Sequence, residues 1–355
     1  MGMRVVIAAG GTAGHVVPAL CVADALRERG SEVVFVGGER AEAELVPAAG
    51  YELRTIRVRG LSRTNRLAAA GAAALAARAV TRATRILREV RPAVVLGGGG
   101  YVAGPVGLAA VGLRIPLVLT EADSHLGLAN RALAPFARRI CLAFSLEGRS
   151  GGRYRVTGRP VPAPCTDRVG ARARWGIGED EDCVLVFGGS LGAKSINEAA
   201  VSGLAEAPFV VLHISGARDH GALRPRPHGP RYHLISYLPI DRFREALAAS
   251  DLVVARAGGS IFEIASHGRP AILVPYPGAT ADHQALNARW MADGGAAVVV
   301  PDSELDGPRL AREVAGLLGD RPRLAAMARA SASLARLDAS RDVAEEVLAA
   351  AGCTP

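Results

Sequence analysis

Val5-Val6-Ile7-Ala8-Ala9-Gly10-Gly11-Thr12-Ala13-Gly14 and Val184-Leu185-Val186-Phe187-Gly188-Gly189-Ser190-Leu191-Gly192-Ala193 are one device written twice. Each opens on an unbroken apolar run and closes on a glycine-rich turn. A run with no polar alternation belongs to a strand covered on both faces, which is the condition of a parallel sheet between helices. The turn then leads into a helix, expected over Pro18–Arg29, with Leu20, Ala23 and Leu26 on one side, and over Ile196–Leu204 in the second copy. Further apolar runs follow the first copy at Val33–Val36, Val94–Leu96, Leu117–Leu119 and Ile140–Leu142. The second copy is followed by Val210–Ile214, Leu252–Val254, Ala271–Val274 and Ala297–Val300. Between the series, Arg153–Pro164 carries Gly158, Pro160, Pro162 and Pro164 and reads as a linker. The fold class is therefore α/β, with two Rossmann-like doubly wound domains facing across a cleft. Their expected bounds are 1–160 and 165–335, and 355 residues exceed what one core usually serves. The Ala-rich stretch Pro322–Ala351 reads as helix, and its last part, 336–353, is expected to rejoin the first domain.

Composition narrows the setting. The net charge is +8, and Lys194 is the only lysine. From Arg54 to Arg91 there are ten Arg and one acid, Glu89, so the basic character is a patch and not a general property. Within it Arg78, Arg82, Arg85 and Arg88 fall on one helical stripe, beside an apolar face of Leu75, Ala79, Ile86 and Val90. Such a helix suits an anionic bilayer surface; an equally good reading is a solvated Arg-rich face. Nucleic acid is not expected, because the segment has no aromatic stacking residues. The cysteines, Cys21, Cys141, Cys165, Cys183 and Cys353, form no CxxC pair and read as reduced core residues of a cytoplasmic protein. A strand begins at once, so no signal peptide is expected. The apolar stretch Tyr101–Leu119 is broken by Gly104, Pro105, Gly107, Gly112, Arg114 and Pro116 and does not read as a membrane span.

The chemistry sits at the strand ends. A glycine turn before a helix lets backbone approach a ligand and offers free N–H groups to an anion, so both Gly loops suit a diphosphate. Arg256-Ala257-Gly258-Gly259-Ser260-Ile261-Phe262-Glu263 repeats the logic after another strand. There Glu263 can accept from ribose hydroxyls, or Ser260 and Glu263 can form a capping box. Gln284 and Asn287 share a helix face and can meet sugar hydroxyls, or belong to a solvated helix start. His15 is a candidate general base. Glu121, Asp123 and His125 follow a strand end. Asp180-Glu181-Asp182 has a DxD form but precedes its strand, so no metal ligand is expected there or elsewhere.

Taken in order, GGTAGH (10–15), GGGGYVAGP (97–105), GLANR (127–131), GGSLGAKSIN (188–197), RAGGSIFE (256–263) and HQALNA (283–288) resemble the peripheral membrane N-acetylglucosaminyltransferases of peptidoglycan synthesis, glycosyltransferase family 28. The resemblance covers nearly the whole chain. It implies the two-domain GT-B architecture, no cofactor, UDP-GlcNAc as donor and lipid-linked MurNAc-pentapeptide as acceptor. It also implies residence on the anionic cytoplasmic face of the cell membrane. By match, Gly189, Ser190, Gly258, Gly259 and Ser260 would hold the donor diphosphate, Glu263 the ribose, and Gln284 and Asn287 the sugar. Thr12, Ala13, Gly14 and Asp123 would complete the donor side. Gly11, Gly14, Gly99, Gly100, Tyr101 and Asn130 would meet the acceptor, with His15 as base. Three places depart from the family pattern. Thr120-Glu121-Ala122-Asp123 stands for HExN, Pro162 for the usual Arg, and the RAGGSIFE segment is one residue shorter. Another lipid or natural-product acceptor therefore stays open, as does a UDP-GlcNAc 2-epimerase, which shares the architecture. A nicotinamide dehydrogenase, with Glu39 as its ribose acid, fits less well because the first loop is not GxGxxG and the second would have no role.

Overall fold

The structure, a computed structural model, describes residues 2–58, 66–189, 191–279 and 282–352, the side chains of 66–74 and 76 excepted. The chain divides into two compact units, Met1–Pro162 with Arg336–Pro355, and Ala163–Ala335.

The first unit runs β1 (Arg4–Ala8), α1 (Ala13–Glu28), β2 (Glu32–Gly37), α2 (Ala41–Ala48), β3 (Glu52–Thr55), α3 (Arg66–Val90), β4 (Val94–Gly97), α4 (Gly100–Gly112), β5 (Leu117–Glu121), α5 (Leu128–Leu133), β6 (Arg139–Leu142) and β7 (Tyr154–Val156). Its seven strands lie in the order β3-β2-β1-β4-β5-β6-β7, all parallel. The second unit runs α6 (Arg168–Arg174), β8 (Cys183–Phe187), α7 (Lys194–Leu204), β9 (Val210–Ile214), α8 (Ala217–Leu223), β10 (Tyr232–Ile235) and α9 (Ile240–Ala249). It continues through β11 (Leu252–Ala255), α10 (Ile261–Ser266), β12 (Ala271–Leu273), α11 (His283–Asp293), β13 (Ala297–Val299), α12 (Gly307–Gly319) and α13 (Arg321–Leu334). Its six parallel strands lie in the order β10-β9-β8-β11-β12-β13.

Both sheets reverse direction of growth at their centre, between β1 and β4 and between β8 and β11. Such a switch point opens a crevice at the strands' carboxyl ends, where open α/β sheets bind ligands. Each is flanked by two Gly-rich segments: 10–14 and 98–100 in the first unit, 188–192 and 256–260 in the second. The reason is steric. A Cβ on Gly100, at φ +76°, would lie 1.9 Å from the Gly10 carbonyl oxygen, and one on Gly192, at φ +80°, would lie 2.1 Å from that of Ser215. Only glycine lets the chain pass there.

Four details differ from the sequence reading. β3, β7 and β10 carried no apolar run, and all three are edge strands, so each needs less cover than a central one. β7 takes part of the segment read as linker. The first helix starts at Ala13, which puts Gly14 and His15 in its opening turn and Pro18 inside it. The Ala-rich end is two helices, α13 and α14 (Ala339–Ala350), interrupted at Ala335–Asp338. Val343, Ala344, Val347 and Ala350 of α14 are buried with Val5, Ile7, Phe35 and Leu96 in the core of the first unit. Of the cysteines, Cys141 and Cys183 are buried and Cys21 and Cys165 half-buried; Cys353 lies outside the described residues.

Candidate functional site

In the first unit the α1 opening turn is the centre. The Ala13 and Gly14 amides have no acceptor within the helix and can face an anion. Pro18 has no N–H, so it cannot bond the Gly14 carbonyl four residues back. The Arg159 guanidinium takes that carbonyl instead, at 2.5 Å, which brings a cation to the loop. The Nδ1 of His15 lies 3.3 Å from Thr12 Oγ1. Burial first, then Arg159, lower the His15 pKa, while Asp123 and Glu42 act the other way; the net shift is below 6.5. A neutral imidazole at pH 7 is the form a general base requires. The third glycine of 97–100 borders it, since a Cβ on Gly99 would lie 2.8 Å from His15 Cδ2.

Two residues expected on the acceptor are engaged otherwise. Gly11 donates its N–H to Glu42 Oε2 at 2.8 Å, so it has no amide for a ligand. The Tyr101 hydroxyl donates to Glu42 Oε1 at 2.9 Å, and burial followed by that bond raises its pKa to about 12. The sequence reading missed Glu42, which is fully buried in the first turn of α2. In AEAELVPA it looks like one solvated acid of two, and no local pattern separates it from Glu44.

Asn130 is also turned inward. It is 7 % exposed, and its Nδ2 donates to the Thr120 carbonyl and to Glu121 Oε2, both at 2.9 Å. Glu121 accepts as well from the Gly127 N–H at 2.8 Å and the Asp123 N–H at 3.2 Å. Asn130 and Glu121 thus shape the 121–127 turn that carries Asp123. Thr120, at the altered motif, donates from Oγ1 to the Gly97 carbonyl at 3.2 Å.

In the second unit, the 188–192 loop is held by its backbone and by Asn197. The Asn197 Nδ2 donates to the Ser215 carbonyl and to Asp219 Oδ2, both at 2.9 Å, which leaves Oδ1 to accept from His213 Nε2 at 3.0 Å. Ser190 lies outside the described residues; Gly189 is exposed. The 256–260 segment is braced by Arg256, which is 8 % exposed. It donates to the carbonyls of Val274 and Pro275, to Asp302 Oδ1 at 2.5 Å and to Ser195 Oγ at 2.8 Å. The first-turn amides of α10, at Gly259–Ile261, follow from this brace. Ser260 makes no side-chain cap, so the capping box with Glu263 does not form.

Gln284 accepts from the Tyr276 N–H at 3.0 Å and stands beside Gly258. Asn287 is 2 % exposed, and its Nδ2 donates to the Ala257 carbonyl at 3.0 Å. The amide donor expected on a sugar is therefore spent on the Gly258–Gly259 loop, while Oδ1 has no partner among the described residues. His267 ties the segment down from below: Nδ1 donates to the Glu263 carbonyl at 2.8 Å and Nε2 accepts from the Cys165 N–H at 3.1 Å. The DxD carboxylates pair with arginines, Asp182 with Arg321 at 2.6 Å and Glu181 with Arg231 at 2.7 Å.

On α3, Arg78, Arg82, Arg85 and Arg88 are exposed, and no acid pairs with them among the described residues. Of the adjoining apolar face, Leu75 is half-buried. Ala79, Ile86 and Val90 are at most 8 % exposed, and Ile86 and Val90 belong to the core of the first unit. The expectation that they face a bilayer is corrected: the sheet and α4 claim them first. No described helix is long and apolar enough to cross a membrane.

Comparison with known proteins gives a consistent result. Residues 5–142 match the glycosyltransferase family 28 N-terminal domain and residues 183–347 its C-terminal domain. The UDP-N-acetylglucosamine–N-acetylmuramyl-(pentapeptide) pyrophosphoryl-undecaprenol N-acetylglucosamine transferase of Moorella thermoacetica is 41% identical over 98% of this chain and 98% of its own. The enzyme of the same name from Methylococcus capsulatus is 40% identical over 99% and 100%. The crystal structure of Acinetobacter baumannii MurG superposes with a TM-score of 0.77 at 29% identity, over 98% of this chain and 99% of that one.

Proposed function

Because this chain belongs to glycosyltransferase family 28, we propose that it moves N-acetylglucosamine from UDP-GlcNAc to lipid-linked MurNAc-pentapeptide, a step of peptidoglycan synthesis. The observation that carries the reading is the unbroken similarity, about 40% identical from end to end, to transferases of that name. Purified protein, UDP-GlcNAc and a short-chain analogue of the lipid-linked acceptor should yield the disaccharide. UDP-ManNAc or free ManNAc without disaccharide would sink the reading and favour an epimerase.

The donor belongs on the second unit. Its diphosphate meets the first-turn amides of α10 and the 188–192 loop, with Ser190 adding a hydroxyl, and Glu263 accepts from the ribose. Gln284 meets the sugar, while Asn287 acts by holding Ala257. The acceptor belongs on the first unit, its diphosphate at the α1 opening turn. His15 Nε2 removes the proton from the acceptor 4-hydroxyl as that oxygen attacks C1 on the face opposite UDP, so the configuration inverts. The C1–O bond to UDP breaks, and helix N-termini offset the charge left on the diphosphate without reorganising.

The α3 arginines suit the anionic inner leaflet at the cytoplasmic face, where such an acceptor would lie. Each basic residue near such a surface adds about 1 kcal/mol. With Ala79, Ile86 and Val90 of α3 buried, the attraction is electrostatic and the association peripheral.

A further inference from the structure

Glu42 is a buried carboxylate with no cation paired to it among the described residues. Its partners are all donors: the Gly11 N–H on Oε2 at 2.8 Å, and the Gly38 N–H at 2.8 Å and the Tyr101 hydroxyl at 2.9 Å on Oε1. These donors come from the turn after β1, the end of β2 and the start of α4. All three segments lie at the carboxyl end of the first sheet, beside its switch point. The slot is cut to the carboxylate. A Cβ on Gly10 would lie 2.7 Å from Oε1, one on Gly38 2.8 Å from it, and one on Gly37 2.8 Å from Cγ. Burying a carboxylate is costly unless donors surround it, so a carboxylate held this way points to an arrangement that needs its charge and both oxygens.

We propose that Glu42 is a positioning residue for the acceptor side: it fixes the Gly11 turn and the Tyr101 ring so that the α1 amides and His15 stand ready for an anionic, diphosphate-bearing acceptor. A neutral donor–acceptor side chain could not do this. Two donors approach Oε1 and one approaches Oε2, so a glutamine amide would set its NH2 against the Gly11 N–H in one orientation and against the Gly38 N–H in the other. The bonds have an electrostatic counterpart. Burial pushes the Glu42 carboxyl up, but the N–H groups of Gly11, Glu42 itself and Gly38, with the Tyr101 hydroxyl, bring it below its ordinary value. It stays charged, and with Asp123 it opposes the lowering of the His15 pKa by burial and Arg159.

The proposal rests on the first unit being the acceptor side. Its test is Glu42→Gln. The expected result is a loss of at least tenfold in kcat/KM for the lipid-linked acceptor analogue, with the Kd for UDP within twofold of the parent. The His15 imidazole, followed by NMR, should titrate at lower pH once the neighbouring negative charge is gone; a merely structural glutamate outside the field of His15 would leave it in place. Unchanged acceptor kcat/KM, or an equal loss in UDP affinity, overturns the idea. Hydrogen exchange needs neither substrate nor a folded variant. In the parent protein the Gly11 and Gly38 amides should exchange at least tenfold more slowly than unstructured amides, and exchange at the unstructured rate would also overturn it. An inactive parent protein with both amides protected would instead count against the transferase reading alone.

Discussion

Asn130, Asn287 and Glu263 show what a side chain type can and cannot announce. An amide one turn into a helix, just after a strand-end loop, has the reach to bond either a ligand or the loop itself. Asn130 and Asn287 spend their donors on the carbonyls of Thr120 and Ala257, so each shapes the backbone that a ligand would meet. Glu263 lies in the first turn of α10 and is only partly buried. Replacing Glu263 with Ala should weaken UDP binding by about 1–3 kcal/mol, the scale of a hydrogen bond to a charged group, read by titration calorimetry. An unchanged Kd would remove Glu263 from the ribose. Glu42 marks the opposite case, a residue whose surroundings carry the meaning and whose type and spacing carry none.

Among the elements, α3 was the easiest to recognise and the easiest to misread. Its arginine row is periodic and therefore visible. Its apolar side is equally periodic, but periodicity does not say which apolar surface it meets. The structure buries Ala79 and gives Ile86 and Val90 to the core of the first unit, and it leaves the arginines outside. Converting Arg78, Arg82, Arg85 and Arg88 to Ser should therefore abolish most binding to anionic vesicles and leave the unfolding midpoint nearly unchanged. Full vesicle binding by that variant would refute the electrostatic account. High salt should weaken the parent protein's binding in the same way, since the exposed charges are screened. The edge strands complete the picture at this scale. β3, β7 and β10 lie at the margins of their sheets and carry mixed sequences, so the continuous apolar runs that revealed the central strands had no counterpart there.

For the whole molecule, buried histidines set a pH dependence. His213 is fully buried between Asn197 and Tyr232, and burial lowers its pKa to about 3; His267 is lowered to about 4, again chiefly by burial. Unfolded, each would titrate near its ordinary value of about 6.5. Below that pH the unfolded chain takes up protons that the folded chain refuses, so stability present above about 6.5 is lost as pH falls toward 4. The slope is about 1.4 kcal/mol per pH unit for each histidine. Between pH 6.5 and 5 the denaturant midpoint should drop accordingly, and a flat profile would mean that the two imidazoles are not held neutral. His15 is lowered in the same direction, so transfer activity should persist to lower pH than an ordinary histidine base allows.

The sequence by itself determined the two parallel sheets, the Gly-rich turns at their strand ends and the family to which they belong. These are local properties: an apolar run needs cover on both faces, and a turn at positive φ needs glycine, whatever lies elsewhere in the chain. Only the tertiary structure decided which polar groups look outward and which look in. Glu42 meets Gly11 and Tyr101 across 31 and 59 residues of chain, and α14, which follows the second sheet in sequence, packs on β4, β5 and β6 of the first. The partner that decides whether a carboxylate is solvated or buried is distant in sequence, and the spacing of near neighbours holds no record of it.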